Sequence, residues 1–185
     1  AAAREFDGLA EALTRAGVNV HAFADTPEPH TPDSIFPNNW VSFHADGTVV
    51  LYPMQAASRR IERRAEVIEA VVRDTGFRVR RTVDLTHHEK SGRFLEGTGS
   101  LVLDHVARVA YACRSPRTEE TVAREWAQQL GYELELFAAR DMRGEPIYHT
   151  NVVMSTATRM AVVALDNIDA ADRARVEARL GASRE

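Results

Sequence analysis

The chain has 185 residues, of which 44% are hydrophobic and 27% are charged, and its formal net charge is −4. This length allows a single domain with a real core over residues 1–185, and the composition is ordinary for a globular protein. The acidic balance does not suggest a nucleic-acid partner, and no apolar run is long enough to span a bilayer. The single cysteine, Cys113, excludes an intrachain disulfide framework, so a reducing, cytoplasmic setting is the simplest expectation.

The first predicted elements are a helix, a short strand and a stiff loop. Apolar residues at helical spacing cover residues 4–16, with Gly17 as the expected stop. The alternating residues 18–23 predict a short strand. Four prolines lie within residues 25–39. Because proline fixes φ and disfavours helix before it, this loop is expected to be stiff.

A hairpin, a helix and a strand are predicted next. An Asp-Gly pair between the β-rich runs 40–44 and 48–52 predicts the hairpin. The helix is predicted to run from Ser58, as its N-cap, to a stop at Gly76. Phe77 then begins the strand.

The same order of elements then recurs. Residues 100–103 and 108–113 predict a second hairpin, and residues 132–137 predict the strand that closes this unit. Between them, Ser115 and Pro116 predict the N-cap and the first residue of a helix.

A third group of elements completes the chain. Residues 147–154 and 160–165 predict two strands, and a last helix is predicted to start at Asp169. Matching features recur about every 55 residues, a period that indicates internal structural repeats. Helices that connect hairpin-bearing units predict an α/β fold with several small mixed sheets, rather than one large parallel sheet.

Three polar clusters each lie beside an apolar run, where loops on a rigid scaffold commonly carry function. In chain order they contain Asp33 with Asn38 and Asn39, Glu96 before Gly97 and Gly99, and His149 with Asn151. Glycine lets the bend after Glu96 take a positive φ or pass close to a ligand, and the stiff loop is suited to holding a polar ligand with Asp33 and Asn39. The alternative is structural, with Asp33 capping a surface turn and Glu96 solvated before a strand.

Two carboxylates and an imidazole suit a flat cation that donates hydrogen bonds. A guanidinium fits, because carboxylates bind it in bidentate pairs and a histidine moves protons near neutral pH. A covalent reaction at the guanidinium carbon also needs a nucleophile, and Cys113 is the only thiol. We expect that it is not the nucleophile, because it ends a β-type run where a small buried cysteine is common. Arg114 and Arg117, close by in the sequence, are the residues that could lower its pKa.

A further cluster, His87-His88-Glu89, invites a metal interpretation. Adjacent histidines in a strand point to opposite sides, and this segment has no helical His-x-x-x-His pair. We therefore expect no metal and no other cofactor, and we expect residues 85–93 to form a loop that closes over Glu96. The alternative is a metal-dependent hydrolase that uses these three side chains.

Three motifs in this order resemble the guanidino-group-modifying superfamily, which includes arginine deiminases, dimethylarginine hydrolases and amidinotransferases. They are Pro-Asp-Ser-Ile-Phe-Pro-Asn-Asn-Trp at 32–40, Leu-Glu-Gly-Thr-Gly at 95–99 and His-Thr-Asn at 149–151. The most similar branch is the amidinotransferase or citrulline-utilisation hydrolase-like one, and the resemblance covers essentially the whole chain. It implies a pentein fold, an α/β-propeller of five ββαβ-type units, of which about three are present. The chain thus looks truncated at both ends.

The resemblance also implies roles for the polar residues. Asp33 matches the acidic residue that grips the guanidinium, Glu96 the glutamate that contacts it and supports the histidine, and His149 the general acid/base. Asn151 stands where arginine deiminases carry a second aspartate. Arg117 falls in a segment where relatives hold the substrate carboxylate.

Covalent catalysis by a Cys-His-Glu set on a small, arginine-like guanidino compound is the activity implied. The family's cysteine lies near the C-terminus, beyond this chain, and Cys113 does not match its position. Hydrolysis and amidino transfer both remain open, and the alternative is a non-catalytic guanidinium-binding module. The open sheet edges of an incomplete propeller favour association into a homo-oligomer.

Overall fold

The computed structural model describes residues 2–182 and contains small β-sheets connected by helices. The helices are α1 (Ala2–Arg15), α2 (Ala57–Arg60), α3 (Ala65–Thr75), α4 (Gly97–Ser100), α5 (Glu120–Leu130) and α6 (Ala170–Gly181). The strands are β1 (Val41–Phe43), β2 (Thr48–Leu51), β3 (Arg81–Asp84), β4 (Leu101–Asp104), β5 (Val109–Cys113), β6 (Glu133–Phe137), β7 (Met154–Thr156) and β8 (Ala161–Val163). Short 3-10 helices cover Pro37–Asn39, Thr86–Ser91, Thr150–Val152 and Leu165–Asn167.

Each of the first two sheets is a hairpin joined by a parallel strand. In the order β1-β2-β3, β2 pairs antiparallel with β1 and parallel with β3, and β4-β5-β6 repeats this pattern. A third sheet, β7-β8, is an antiparallel hairpin followed by α6. The prediction of an α/β fold with small mixed sheets is therefore confirmed.

The middle sheet lies between two apolar cores. Along β5, Ala110 and Ala112 face a core shared with the first sheet and α5, whereas Val109 and Tyr111 face a core shared with β7 and α6. All five residues of β5 are buried, because side chains alternate across a strand that is covered on both faces. In the first core, the indole of Trp126 is fully buried and donates a hydrogen bond of 2.9 Å to the hydroxyl of Tyr52.

Several predicted boundaries are wrong in the first half of the chain. The helix expected from Ser58 is two helices: α2 begins at Ala57, and α3 ends at Gly76 in the left-handed conformation, as expected. The break between them accompanies the buried Arg59–Glu62 ion pair. The strand predicted from Phe77 begins only at Arg81.

The strand predicted at residues 147–154 is also wrong, because side-chain hydrogen bonds replace a strand ladder there. The hydroxyl of Thr150 accepts from the backbone N–H of Cys113 at 2.7 Å and donates to the carbonyl of Ser100. Ser115 is not the N-cap of α5. That position is taken by Glu119, whose carboxylate accepts from the N–H of Val122 at 3.1 Å.

The N-terminal residues 2–23 pack loosely against the rest of the protein. The helix predicted at residues 4–16 is present as α1, but none of its described residues is buried, and Leu9 is 60% exposed. Residues 18–23, predicted as a strand, pair with no strand within residues 2–182. None of the helices described is both long and apolar enough to cross a membrane.

Candidate functional site

A cleft of about 390 Å³ opens between the proline-rich loop, α2 and the segment around His149. Six of the residues singled out in the sequence line it: Asp33, Asn38, Asn39, Arg117, His149 and Asn151. Asp33 is exposed on the wall of the cleft, whereas Asn39 and His149 are buried at 3% and 7% exposure. The fold thus brings together polar side chains that are more than a hundred residues apart in the chain.

Glu96 lies behind the wall of the cleft with no exposed surface. Its Oε2 is 2.8 Å from Nε2 of His149 and accepts a hydrogen bond of 3.2 Å from Nδ2 of Asn39. Its Oε1 accepts from the backbone N–H of Gln55 at 2.9 Å. Nη1 of Arg117 is 3.5 Å from Oε2. Glu96 therefore lies behind residues of the cleft and is hydrogen-bonded to two of them, Asn39 and His149.

Electrostatics keep Glu96 ionised. Burial raises the pKa of its carboxyl, but the hydrogen bonds from His149 and Gln55 and the charge of Arg117 outweigh burial, so its pKa lies below its ordinary value. A carboxylate can only accept hydrogen bonds, so Nε2 of His149 must carry the hydrogen between them. This leaves Nδ1 as the ring atom that can take up or release a proton.

The glycines after Glu96 are required by close packing. Gly97 has a φ of +44°, and a Cβ there would lie 2.5 Å from the carbonyl oxygen of Asn38. A Cβ on Gly99 would lie 2.8 Å from Nδ1 and Cε1 of His149. The bend thus lets the backbone pass directly beneath the proline-rich loop and the imidazole.

Two hydroxyls that the sequence analysis missed connect this arrangement to the sheet. Ser100 accepts from the N–H of Glu96 at 2.9 Å and donates to the carbonyl of Arg117 at 2.8 Å. Thr150, which follows His149, bonds to Ser100 and β5 as described above. Both residues are fully buried, so the acid and the imidazole rest on one satisfied polar network.

A buried ion pair, also missed, holds the proline-rich loop. Arg59 is 7% exposed, and its guanidinium makes two hydrogen bonds to Glu62, of 2.9 and 3.0 Å. The same guanidinium donates to the carbonyl of Phe36 at 2.8 Å. It also lies 3.4 Å from the carbonyl of Asp33. The spacing of three residues between the two partners was the only indication in the sequence.

Arg117 places a positive charge at the edge of the cleft. Its guanidinium carbon lies 5.2 Å from the centre of the Tyr148 ring, and that ring is 4.8 Å from the ring of His149. The side chain of Arg117 is 33% exposed, so the cleft has an accessible cation close to the buried carboxylate of Glu96.

Cys113 lies apart from the cleft. It is fully buried in β5, and its Sγ is 3.6 Å from the carbonyl oxygen of Ile147. Burial raises the pKa of the Cys113 thiol to about 11. These are the properties of a packed core cysteine rather than of a thiolate nucleophile.

The trio His87, His88 and Glu89 does not converge, so that metal interpretation is wrong. The carboxylate of Glu89 points to Arg63, with its two oxygens 2.5 and 3.1 Å from the guanidinium, and accepts from the N–H of Met54 at 2.8 Å. The histidines lie instead beside Glu125 of α5. The loop that was expected to close over Glu96 reaches it only indirectly, because Met54 precedes the Gln55 that bonds to Glu96.

Comparison with known families gives one match that covers the chain. Residues 1–185 match the family model described as N,N dimethylarginine dimethylhydrolase, eukaryotic. A search of curated proteins found no match.

Solved structures share the fold at low sequence identity. The N-terminal domain of ArgZ, an arginine dihydrolase from cyanobacteria, has a TM-score of 0.72 and 19% identity in a cysteine-to-serine variant bound to substrate; the match covers 98% of this chain and 62% of that one. A cysteine-to-alanine variant of AgrE with L-arginine gives 0.70 and 22%, covering 98% and 25%. A dimethylarginine dimethylaminohydrolase adduct with 4-chloro-2-hydroxymethylpyridine gives 0.57 and 18%, covering 83% and 55%. The chain thus spans less than two thirds of each of these.

Proposed function

Because the chain belongs to the N,N dimethylarginine dimethylhydrolase family, within the guanidino-group-modifying pentein superfamily, we propose that it carries the guanidinium-binding and acid–base part of a hydrolase. The substrate is an arginine-like amino acid. The observation that carries the proposal is the buried Glu96–His149 pair, 2.8 Å apart, beside a cleft that also presents Asp33, Asn39 and Asn151. The hydrolases named among the similar structures favour water over an amine as the acceptor.

The guanidinium binds against acceptors on the cleft wall. The carboxylate of Asp33 supplies the negative charge, since carboxylates pair with guanidinium through two parallel hydrogen bonds. Asn39 donates through Nδ2 to Glu96, so its Oδ1 is the atom left to accept from the substrate. Asn151 supplies a second amide, and Arg117 binds the substrate's carboxylate.

His149 moves the proton. Its Nδ1 protonates the departing amine, and the same nitrogen then takes a proton from the water that releases the product. Glu96 acts through His149, because its own oxygens are engaged by protein donors. Its charge favours the imidazolium that is present before the first proton transfer and again after the second.

The covalent step uses a cysteine thiolate outside this chain. Cys113 is the only cysteine here and is buried in β5. Cysteine-substituted variants of ArgZ and AgrE were captured with substrate and L-arginine, and another ArgZ variant was covalently bound to a reaction intermediate. The thiolate adds to the guanidinium carbon, the amine leaves with the proton from His149, and water displaces the sulfur.

We also propose that the chain is one domain forming part of an α/β-propeller. Two complete hairpin–helix–strand units and a third hairpin with its helix repeat the same order. The chain covers 62% of the ArgZ N-terminal domain, a share that fits about three units of five.

The test is hydrolysis of L-arginine and of N,N-dimethylarginine by the full-length protein, followed through the ammonia or dimethylamine released. His149→Ala is expected to lower kcat by about 10²–10⁴, the usual size of acid–base catalysis. His30→Ala, at an exposed histidine paired with Asp25, is the control and keeps full activity. Undiminished turnover in His149→Ala would contradict the proposal, and ligand binding without any turnover would favour a binding module.

A further inference from the structure

Outside the cleft, two imidazoles and a carboxylate meet on the surface. His87 and His88 belong to the 3-10 helix Thr86–Ser91, and Glu125 belongs to α5. One ligand atom from each lies within 4.8 Å of the other two. Nε2 of His88 is 2.8 Å from Oε2 of Glu125, and the centres of the two imidazole rings are 4.1 Å apart.

We propose that His87, His88 and Glu125 bind one Zn²⁺ ion, or a similar divalent transition metal. Imidazole nitrogen and carboxylate oxygen are ligands that zinc prefers. With metal–ligand bonds of about 2.0–2.1 Å, neighbouring ligands of a tetrahedral ion lie about 3.3 Å apart. The ligand atoms here lie within 4.8 Å of one another, and Nε2 of His88 is 2.8 Å from Oε2 of Glu125, so side-chain rotations bring them to that spacing. The exposed side of the cluster leaves the fourth position to water.

A hydrogen bond fixes the tautomer of His87 that can bind a metal through Nε2. Its Nδ1 lies 3.1 Å from the carbonyl oxygen of Asp84, so Nδ1 carries the hydrogen and Nε2 keeps a free lone pair. The Asp84 carboxylate in turn accepts from the N–H of Thr86 at 2.9 Å and from its hydroxyl at 2.6 Å. The start of the 3-10 helix is therefore held in place without the metal.

Burial and ring packing favour an ion over a simple surface hydrogen bond. The side chain of His88 is only 11% exposed and that of Glu125 is 33% exposed. The centres of the His87 and His88 rings are 4.1 Å apart, so one ion can reach both imidazoles, and its binding releases the hydrogen that Nε2 of His88 shares with Oε2 of Glu125.

The ion would connect the 3-10 helix to α5 and take no part in the chemistry of the cleft. The helix also carries Glu89, which holds the N–H of Met54, and the next residue, Gln55, donates to Glu96. Metal binding therefore braces the segment behind the buried carboxylate. This inference does not depend on the proposed hydrolase function.

The test is metal binding by the full-length protein, with Zn²⁺ measured by equilibrium dialysis and elemental analysis, and Co²⁺ followed by its visible absorption. We expect one ion per chain, and at least about tenfold weaker binding in His87→Ala and in Glu125→Gln, since even outer-shell partners of a metal are worth that much. Zinc should also raise the Tm of the wild type more than that of either variant.

Two controls separate this site from other binding. Glu120→Gln makes the same change on the same helix, at a residue that pairs with Arg124, and should bind metal like the wild type. His149→Ala removes the imidazole that lines the cleft, and this variant should also keep the ion bound at His87, His88 and Glu125. Binding below one ion per chain, unchanged binding in both His87→Ala and Glu125→Gln, or loss of the ion in His149→Ala would overturn the proposal.

Discussion

The protein contains two imidazole–carboxylate pairs with the same separation and different surroundings. His149–Glu96 and His88–Glu125 each bring nitrogen and oxygen to 2.8 Å. The first carboxylate has no exposed surface and accepts hydrogen bonds from three donors, whereas the second is 33% exposed. A distance alone therefore does not identify an acid–base pair, because the effect of a charge depends on how far water screens it.

The largest difference is expected when the glutamate of each pair is replaced by glutamine. Glu96→Gln removes the charge that orients and stabilises the imidazole of His149, and should lower kcat/KM by about 10²-fold or more. Glu125→Gln, measured without added metal, should leave kcat/KM unchanged and alter the free energy of unfolding by about 0.5 kcal/mol or less. Steady-state kinetics and urea titrations check both. Equal losses of activity in the two variants would show that the surroundings do not distinguish them.

Packing beneath the imidazole gives the next largest effect. In Gly99→Ala the new Cβ would lie 2.8 Å from the ring of His149, so the ring must move, at a cost of about 1–3 kcal/mol in unfolding free energy and about tenfold or more in kcat. Gly8→Ala in α1 is the matched control, because nothing lies within 4 Å of its Cβ, and it should be neutral or slightly stabilising. Wild-type kinetics in Gly99→Ala would contradict this packing.

Removing a hydroxyl from the network below the Glu96–His149 pair should lower the stability of the protein. Thr150→Val keeps the shape of the side chain but leaves the N–H of Cys113 and the carbonyl of Ser100 without their buried partner. We expect a loss of about 1–3 kcal/mol in the free energy of unfolding, from denaturant titration. Thr75→Val, at an exposed hydroxyl bonded to the carbonyl of Val71, is the control, and a loss as large as that of Thr150→Val would refute the distinction.

The smallest effect is a dependence on pH. The pKa of Glu96 in the folded protein lies below its ordinary value of 4.5, so the stabilisation from its ionised form is complete above about pH 4.5 and is lost as pH falls through the folded-state value. Unfolding free energies from pH 6 down to about pH 3 should therefore fall more steeply for the wild type than for Glu96→Gln. Parallel curves would show that Glu96 contributes nothing to this dependence.

Local patterns in the sequence predicted much of the fold. The Asp-Gly pair placed the first hairpin, Gly76 ended α3 as expected, and the recurring order of elements predicted the small mixed sheets. These features depend on a few neighbouring residues. The strand predicted at residues 147–154 failed because Thr150 bonds to β5 and Ser100, which are distant in sequence.

Part of the candidate site could be predicted from the sequence. Sequence reasoning named six residues that line the cleft, and Glu96 behind it, and their roles stay predictions. It missed the Arg59–Glu62 pair and the hydroxyl of Ser100, since a buried network is visible only once distant segments meet. Sequence reasoning also grouped Glu89 with His87 and His88, whereas in the structure the carboxylate beside these histidines is that of Glu125 in α5.

The central claim, that a guanidinium cation binds beside the imidazole of His149, is tested most directly by NMR of the full-length protein with ¹⁵N-labelled histidine rings. Addition of L-arginine should shift the ring resonances of His149 and leave those of His88 unchanged, whereas L-lysine, which has the charge without the planar group, should produce a much weaker shift. A His149 resonance that does not respond to arginine, or that responds equally to lysine, would contradict the account.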